Sequence, residues 1–323
     1  MQQETTNLQL KPKPLPIPLA CACLALSMGL VGCYVAFSKS LVLVFPVLLL
    51  AWLRFGIACV AMLGWLKPAL NEPALSRSTK WLVFIESLFG NFLFSICMLY
   101  GVSLTSAVSA GIIMAGIPAV VAVMSRLFLG ERISRHTGMA IVCAVAGVAL
   151  LANSKPATQV VNQPLELWGN LLMVGAVVCE ASYTIIGKKL AGQLSPKRIA
   201  ALINLWGFVL MTPVGVWYAL AFNFENVPPS IGLLLLLYSL AASVWAVWLW
   251  MRGTQSVPAS QAGIFTVMLP VSAVLTGVLV FGEPLLPQQL GALGLALLGV
   301  VLATFPLKTG QKGLAREKKQ HSP

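Results

Sequence analysis

The sequence predicts an all-α integral membrane fold: ten transmembrane helices forming two inverted five-helix repeats, with both termini cytoplasmic. Three observations carry this. Of 323 residues, 58% are apolar and 9% charged, which leaves too little polar surface to cover a soluble globule of this size. Apolar stretches of about 20 residues, the length needed to cross a hydrocarbon core about 30 Å thick, recur between short polar breaks. Residues 99–152 also lie on residues 251–304 at a fixed spacing of 152, without a gap.

The stretches are predicted as helices because a helix pairs its own backbone groups, while an open strand in lipid leaves them unpaired at several kcal/mol each. Closed barrels are excluded, since their strands alternate polar and apolar residues and these segments are apolar on every face. The expected spans are 16–38, 45–66, 81–100, 107–128, 136–152, 167–187, 199–221, 230–251, 259–281 and 287–306. The first follows Lys11 and Lys13 and has the beginning of a signal peptide, but its apolar run continues past Phe37 with no cleavage point.

Orientation follows from Lys and Arg, which are retained on the cytoplasmic side during insertion. With both termini inside, the inner segments hold 18 basic residues and the outer loops hold only Lys39 and Lys155. The net charge of +12 is thereby explained by topology and anionic inner-leaflet lipid, with no nucleic-acid partner. The expected organisation is a cytoplasmic tail (1–15), a first repeat (16–152), an extracytoplasmic linker (153–166), a second repeat (167–306) and a basic cytoplasmic tail (307–323).

Within the repeat, Gly101 meets Gly253, Ala110-Gly111-Ile112 meets Ala262-Gly263-Ile264, Pro118 meets Pro270, and Gly130-Glu131 meets Gly282-Glu283. Chance matching of apolar residues does not reproduce this punctuation. A weaker echo at a spacing of 149 sets Cys33-Tyr34 and Lys39 against Ser182-Tyr183 and Lys188. Five spans per half is an odd number, so the second half enters the membrane from the opposite side. Such halves support two near-equal conformations, each open to one face, around a site near the midplane.

The segments SAGIIMAGIPAVVAVMSRLFLGERIS and SQAGIFTVMLPVSAVLTGVLVFGEPLL, each a helix with a central proline ending in a Gly-Glu turn, resemble the drug/metabolite transporter superfamily and its ten-helix EamA family. Leu53-Arg54-Phe55 resembles that family's second span, whereas Gly32-Cys33-Tyr34 stands where many relatives carry Trp. The resemblance covers residues 16–306. It implies a secondary transporter in a bacterial inner membrane that exports small polar or amphipathic metabolites, such as amino acids, by alternating access. Drug or amine efflux, or uptake by the same fold, is the alternative it leaves open; a lipid flippase is more distant.

Charges at membrane depth are costly and usually face a cavity or a partner. There is no Asp, so Glu180 and Glu86 are the only carboxylates at depth available for proton coupling or for a substrate amine. Glu180 is favoured, with a salt bridge to Arg54 or Lys188 as the structural alternative. Glu86 has the alternative of reaching the inner interface, and Arg54 that of a structural cation. Lys39 and Lys188 end spans 1 and 6, where snorkelling accounts for them and gate contacts are the other reading. Tyr34, Asn91, Tyr183 and Trp248 offer ring faces and hydrogen bonds to an amphipathic ligand, as does Asn204. Pro118 and Pro270, with Gly111 and Gly263, predict kinked or closely packed helices. Glu131 and Glu283 read as helix caps.

No cofactor is expected. The seven cysteines all lie in predicted spans with no Cys-x-x-Cys pair, which argues against a disulfide framework or a metal site. An enzyme would need a nucleophile with a base, or metal ligands, at depth, and no catalytic signature is present. The absence of a phosphate-binding Gly-x-x-x-x-Gly-Lys-Ser/Thr stretch argues against ATP as the energy source. Expected partners are a small-molecule substrate, the bilayer and a proton, with the Gly/Ala-rich spans 5 and 10 suited to scaffolding or a homodimer.

Overall fold

The computed structural model describes residues 15–68, 75–129, 163–190, 194–254 and 268–304, with isolated positions between 138 and 150 and at 256 and 265. Every regular element among them is helical. They are α1 (Ile17–Val42), α2 (Val47–Ala61), α3 (Arg77–Leu104), α4 (Ala107–Phe128), α5 (Gln163–Leu190), α6 (Pro196–Ala221), α7 (Pro229–Gly253), α8 (Met268–Leu279) and α9 (Pro287–Thr304). Six are long and apolar enough to cross a membrane, namely α1, α3, α4, α5, α6 and α7; α2 and α8 are shorter apolar helices. The expected span 136–152 lies outside the described helices, as does much of 259–267.

Local chemistry places the helix starts. Ser76 accepts the Thr79 amide at 3.0 Å and Ser106 the Ser109 amide at 2.9 Å, each satisfying a first-turn donor that has no helical partner. Prolines occupy the first turns of α1, α6 and α7, where a missing N–H costs nothing. Inside α4 the helix loosens into a turn at Ala115–Gly116, and the Gly116 amide bonds back to Ile113 at 2.9 Å. Pro118 follows at once. Proline lacks the donor that a continuous helical ladder needs, and the helix is interrupted at Ala115–Gly116 just before it. Gly111 lies one turn before that break, where a built Cβ would stand 3.0 Å from Ala273 Cβ. Pro270 stands in the first turn of α8, and Gly263 is outside the described residues.

The half-to-half correspondence extends further than the sequence match. α3 begins at Arg77 and α7 at Pro229, the same spacing of 152. Each then contains a short π-helical segment, Leu88–Leu93 and Ala241–Trp245, at matching positions. π-turns of this kind are uncommon and often mark functional sites.

The halves exchange their first helices. α1 packs against α7 and α8, while α5 packs against α3 and α4; α2 lies along α6. Small residues make these crossings close. A methyl at Gly32 of α1 would collide with the Leu269 carbonyl and Ser272 Oγ of α8. At Gly101 of α3 a Cβ would lie 3.2 Å from the Gly169 carbonyl of α5, and at Gly253 of α7 it would lie 2.9 Å from the Ala20 carbonyl of α1. Those last two crossings occupy corresponding positions in the halves. Leu49, Leu50, Phe55, Met98, Leu99 and Met173 fill the interior, while Trp217 and Leu220 point outward, the distribution expected of a protein whose solvent is lipid.

Candidate functional site

At the centre, Arg54 of α2 is buried. Its Nη1 donates to Ser243 Oγ at 3.0 Å and its Nη2 to Ser95 Oγ at 2.6 Å. The guanidinium carbon lies 4.2 Å from the Phe55 ring centroid and 5.2 Å from that of Tyr34, within cation–π range. No carboxylate pairs with it among the described residues, and its Nε has no hydrogen-bond partner there. The expected alternative of an Arg54–Glu180 salt bridge is therefore corrected: serines and ring faces hold this cation, while Glu180 lies on α5, which packs against α3 and α4.

The serines are themselves oriented. Ser95 Oγ donates to the Asn91 carbonyl at 2.5 Å, which leaves its lone pairs for Arg54. Asn91 Nδ2 donates to the Ile203 carbonyl of α6 at 2.9 Å, and Ser87 Oγ donates to the same oxygen at 2.7 Å. Asn204 Nδ2 bonds the Ala200 carbonyl at 2.9 Å, while its buried Oδ1 has no partner among the described residues. Tyr34 of α1 stacks on Tyr238 of α7 with centroids 4.7 Å apart. Ser38 Oγ donates to the Tyr34 carbonyl at 2.8 Å and can accept from Tyr238 Oη at 3.0 Å. Tyr34 Oη is buried without a partner among the described residues.

The cluster thus draws on α1, α2 and α3 of the first half and α6 and α7 of the second. Of the residues expected at a site, Arg54, Tyr34 and Asn91 come together here. Ser38, Ser95, Tyr238 and Ser243 were missed by the residue-type argument, since hydroxyls in apolar helices usually bond their own backbone. The spacing of 152 that relates Asn91 to Ser243 was the available signal.

The other residues sit apart. Glu86 of α3 is fully buried beside Gly187 and Tyr183 of α5. Glu180 is half-buried on α5, and Trp248 half-buried on α7. Lys188 belongs to α5, but its side chain, like that of Pro118, is outside the described part. Lys39 Nζ reaches Glu283 Oε1 at 3.2 Å. Glu283 also accepts the Ala107 and Val108 amides, at 3.1 and 3.0 Å. It therefore caps α4 of the other half rather than the helix that follows it, and ties the end of α1 to the start of α4. Glu131 is outside the described residues.

The sequence profile of the EamA-like transporter family matches residues 19–153 and again residues 167–305. The chain belongs to the EamA-like transporter family. Among curated relatives, it is 36% identical over 264 residues to the uncharacterized transporter YetK of Bacillus subtilis, covering 80% of this chain and 78% of that one. The uncharacterized transporter YyaM of the same organism is 24% identical, with 79% and 83% covered. A solved crystal structure with 18% identity superposes with a TM-score of 0.61, over 88% of this chain and 95% of that one, a likeness of fold. This EamA-like protein is accordingly a multi-pass membrane transporter for a small molecule and not an enzyme. No group of three or more metal-ligating side chains is found among its described residues.

Proposed function

We propose that this EamA-like protein is a secondary transporter that exports small polar or amphipathic metabolites, amino acids or related compounds, by alternating access. In this reading ten spans form two upside-down halves with both termini in the cytoplasm of a bacterial inner membrane. The observation that carries it is the Arg54 cluster. A cation without a counter-charge among the described residues is expensive in lipid, and it is held here by hydroxyls and rings drawn from both halves. A site shared between halves can change its access when they rock. Arg54 and the unpartnered Tyr34 Oη supply donors to a carboxylate, and the stacked tyrosines supply an apolar wall. Drug or amine efflux and uptake use the same geometry with a different ligand or gradient.

Glu180 carries the coupling proton in this proposal. Purified protein in proteoliposomes with an imposed pH gradient tests it, using a panel of labelled amino acids and amines. Gradient-driven flux of at least one compound is expected, and Glu180→Gln should abolish the pH dependence. Coupling that persists in the variant would sink the role of Glu180, and absence of flux for the whole panel would sink the substrate class.

A further inference from the structure

Lys39 and Glu283 meet where α1 ends, α8 ends and α4 begins. Just past the end of α8, Gly282 adopts a φ of 63°, a left-handed turn that glycine makes without steric cost. The Glu283 amide then donates back to the Gly277 carbonyl at 3.0 Å. This return lays the Glu283 side chain over Gly277, where a Cβ would stand 3.1 Å from Glu283 Oε2 and 3.3 Å from Ala107 Cβ. The carboxylate thereby reaches the first turn of α4. Its Oε1 accepts the Ala107 amide and Lys39 Nζ, and its Oε2 accepts the Val108 amide. Ser106 takes the next amide, that of Ser109.

These contacts belong to two different sets of helices. α1 packs with α7 and α8, while α4 packs with α5. Gly32 brings α1 against α8 with no space for a methyl, Phe37 of α1 meets Phe281 edge-on with centroids 5.6 Å apart, and Lys39 ends the same face. Lys39 and Glu283 therefore lie within one set, whereas the bonds from Glu283 to the α4 amides cross to the other. A carboxylate lifted off two amides at a membrane protein's edge needs a counter-charge that moves with it. Lys39 is that group.

We propose that Glu283 is a latch at the extracytoplasmic end of the transport path, closing it by capping α4, and that Lys39 is the counter-charge carried with Glu283 when the latch releases. The latch is closed in this structure. The proposal rests on the transporter reading and on its orientation, in which the ends of α1 and α8 and the start of α4 share the outer face.

Val108 is 1% exposed beneath the carboxylate, so a thiol there reports release. The test uses the full-length chain with its seven cysteines replaced by alanine and with Val108→Cys, in right-side-out membrane vesicles. The probe is a membrane-impermeant trimethylammonium methanethiosulfonate, and the rate of labelling is measured. Glu283→Gln is expected to speed labelling roughly fivefold or more, because the α4 amides lose their charged acceptor. Lys39→Met is expected to slow it by about twofold or more, because the released carboxylate then has no counter-charge. If the ion pair only braces the fold, both variants loosen the same contact and both speed labelling; that result overturns the proposal. An unchanged rate in Glu283→Gln, or labelling confined to inside-out vesicles, overturns it as well. A second variant locks the latch: Ala107→Cys with Gly277→Cys, oxidised with copper phenanthroline, should lose flux in proteoliposomes and regain it on reduction. Undiminished flux in the cross-linked protein overturns the latch while leaving the transporter reading intact. Absence of flux for every compound in the panel counts against the substrate class, and the labelling rates still decide the latch.

Discussion

At the scale of single residues, the protein handles its intramembrane charges in three different ways. Arg54 is surrounded by hydroxyls and rings, Glu86 lacks a described partner, and Lys39 pairs with Glu283. The last case separates two effects of similar geometry. Lys39 is about one third exposed, so its ion pair contributes roughly 0–1 kcal/mol. Glu283 is more buried and accepts two first-turn amides of α4 as well; losing such a cap costs roughly 0.5–2 kcal/mol. We therefore expect Glu283→Ala to lower the unfolding temperature of the purified protein clearly more than Lys39→Ala. Equal losses in a thermal-shift measurement would show that the ion pair, not the cap, dominates. The chemistry of these residues was legible in the sequence as far as their types and depth allowed. Their partners were not: Arg54 meets Ser243 across 189 positions, and no local pattern encodes that.

At the scale of elements, the π segments in α3 and α7 and the turn at Ala115–Gly116 in α4 depart from the regular helical ladder. A π-turn adds a residue to the turn; Ser243 lies inside the segment of α7 and Ser95 just past that of α3, and both meet the Arg54 guanidinium. The interruption at Ala115–Gly116 comes just before a proline that the sequence displays, whereas neither LFGNFL nor AASVW announces a π-turn; only their equal spacing connects them. Helix crossing is a second property of this scale. The α1–α8 contact at Gly32 leaves no room for a methyl, while a Cβ at Gly29 would meet nothing within 4 Å. Gly32→Val should cost about 1–3 kcal/mol by overpacking and lower the unfolding temperature by several degrees. Gly29→Ala, one turn earlier on the same helix, should be nearly silent. A thermal melt in which the two variants behave alike would mean that α1 does not cross α8 as described.

For the whole molecule, the exchange of first helices decides how the halves depend on one another. α1 buries its faces against α7 and α8, and α5 against α3 and α4, so neither half satisfies its own first helix. Residues 1–160 and 161–323 expressed separately should each be protease-sensitive, while co-expression should give a stable complex that co-purifies and elutes as one species. Independent stability of either half would contradict the exchange. The physical reason is that lipid offers no hydrophobic drive between helices, so close packing of small residues and buried polar contacts must supply it.

By itself, the sequence determined the solvent, the helical class, the family and the two-fold internal repetition, because span length, composition and Gly/Pro punctuation are local quantities that survive without contacts. It also nominated Arg54, Tyr34 and Asn91, since polar groups at membrane depth are few. Only the tertiary structure decided which half each helix packs against, that Arg54 meets serines instead of Glu180, and that Glu86 is buried against Gly187 while Ser38 meets Tyr238. Those outcomes depend on the rotation of one helix against another, which backbone turns and crossing distances set and which no stretch of chain specifies alone.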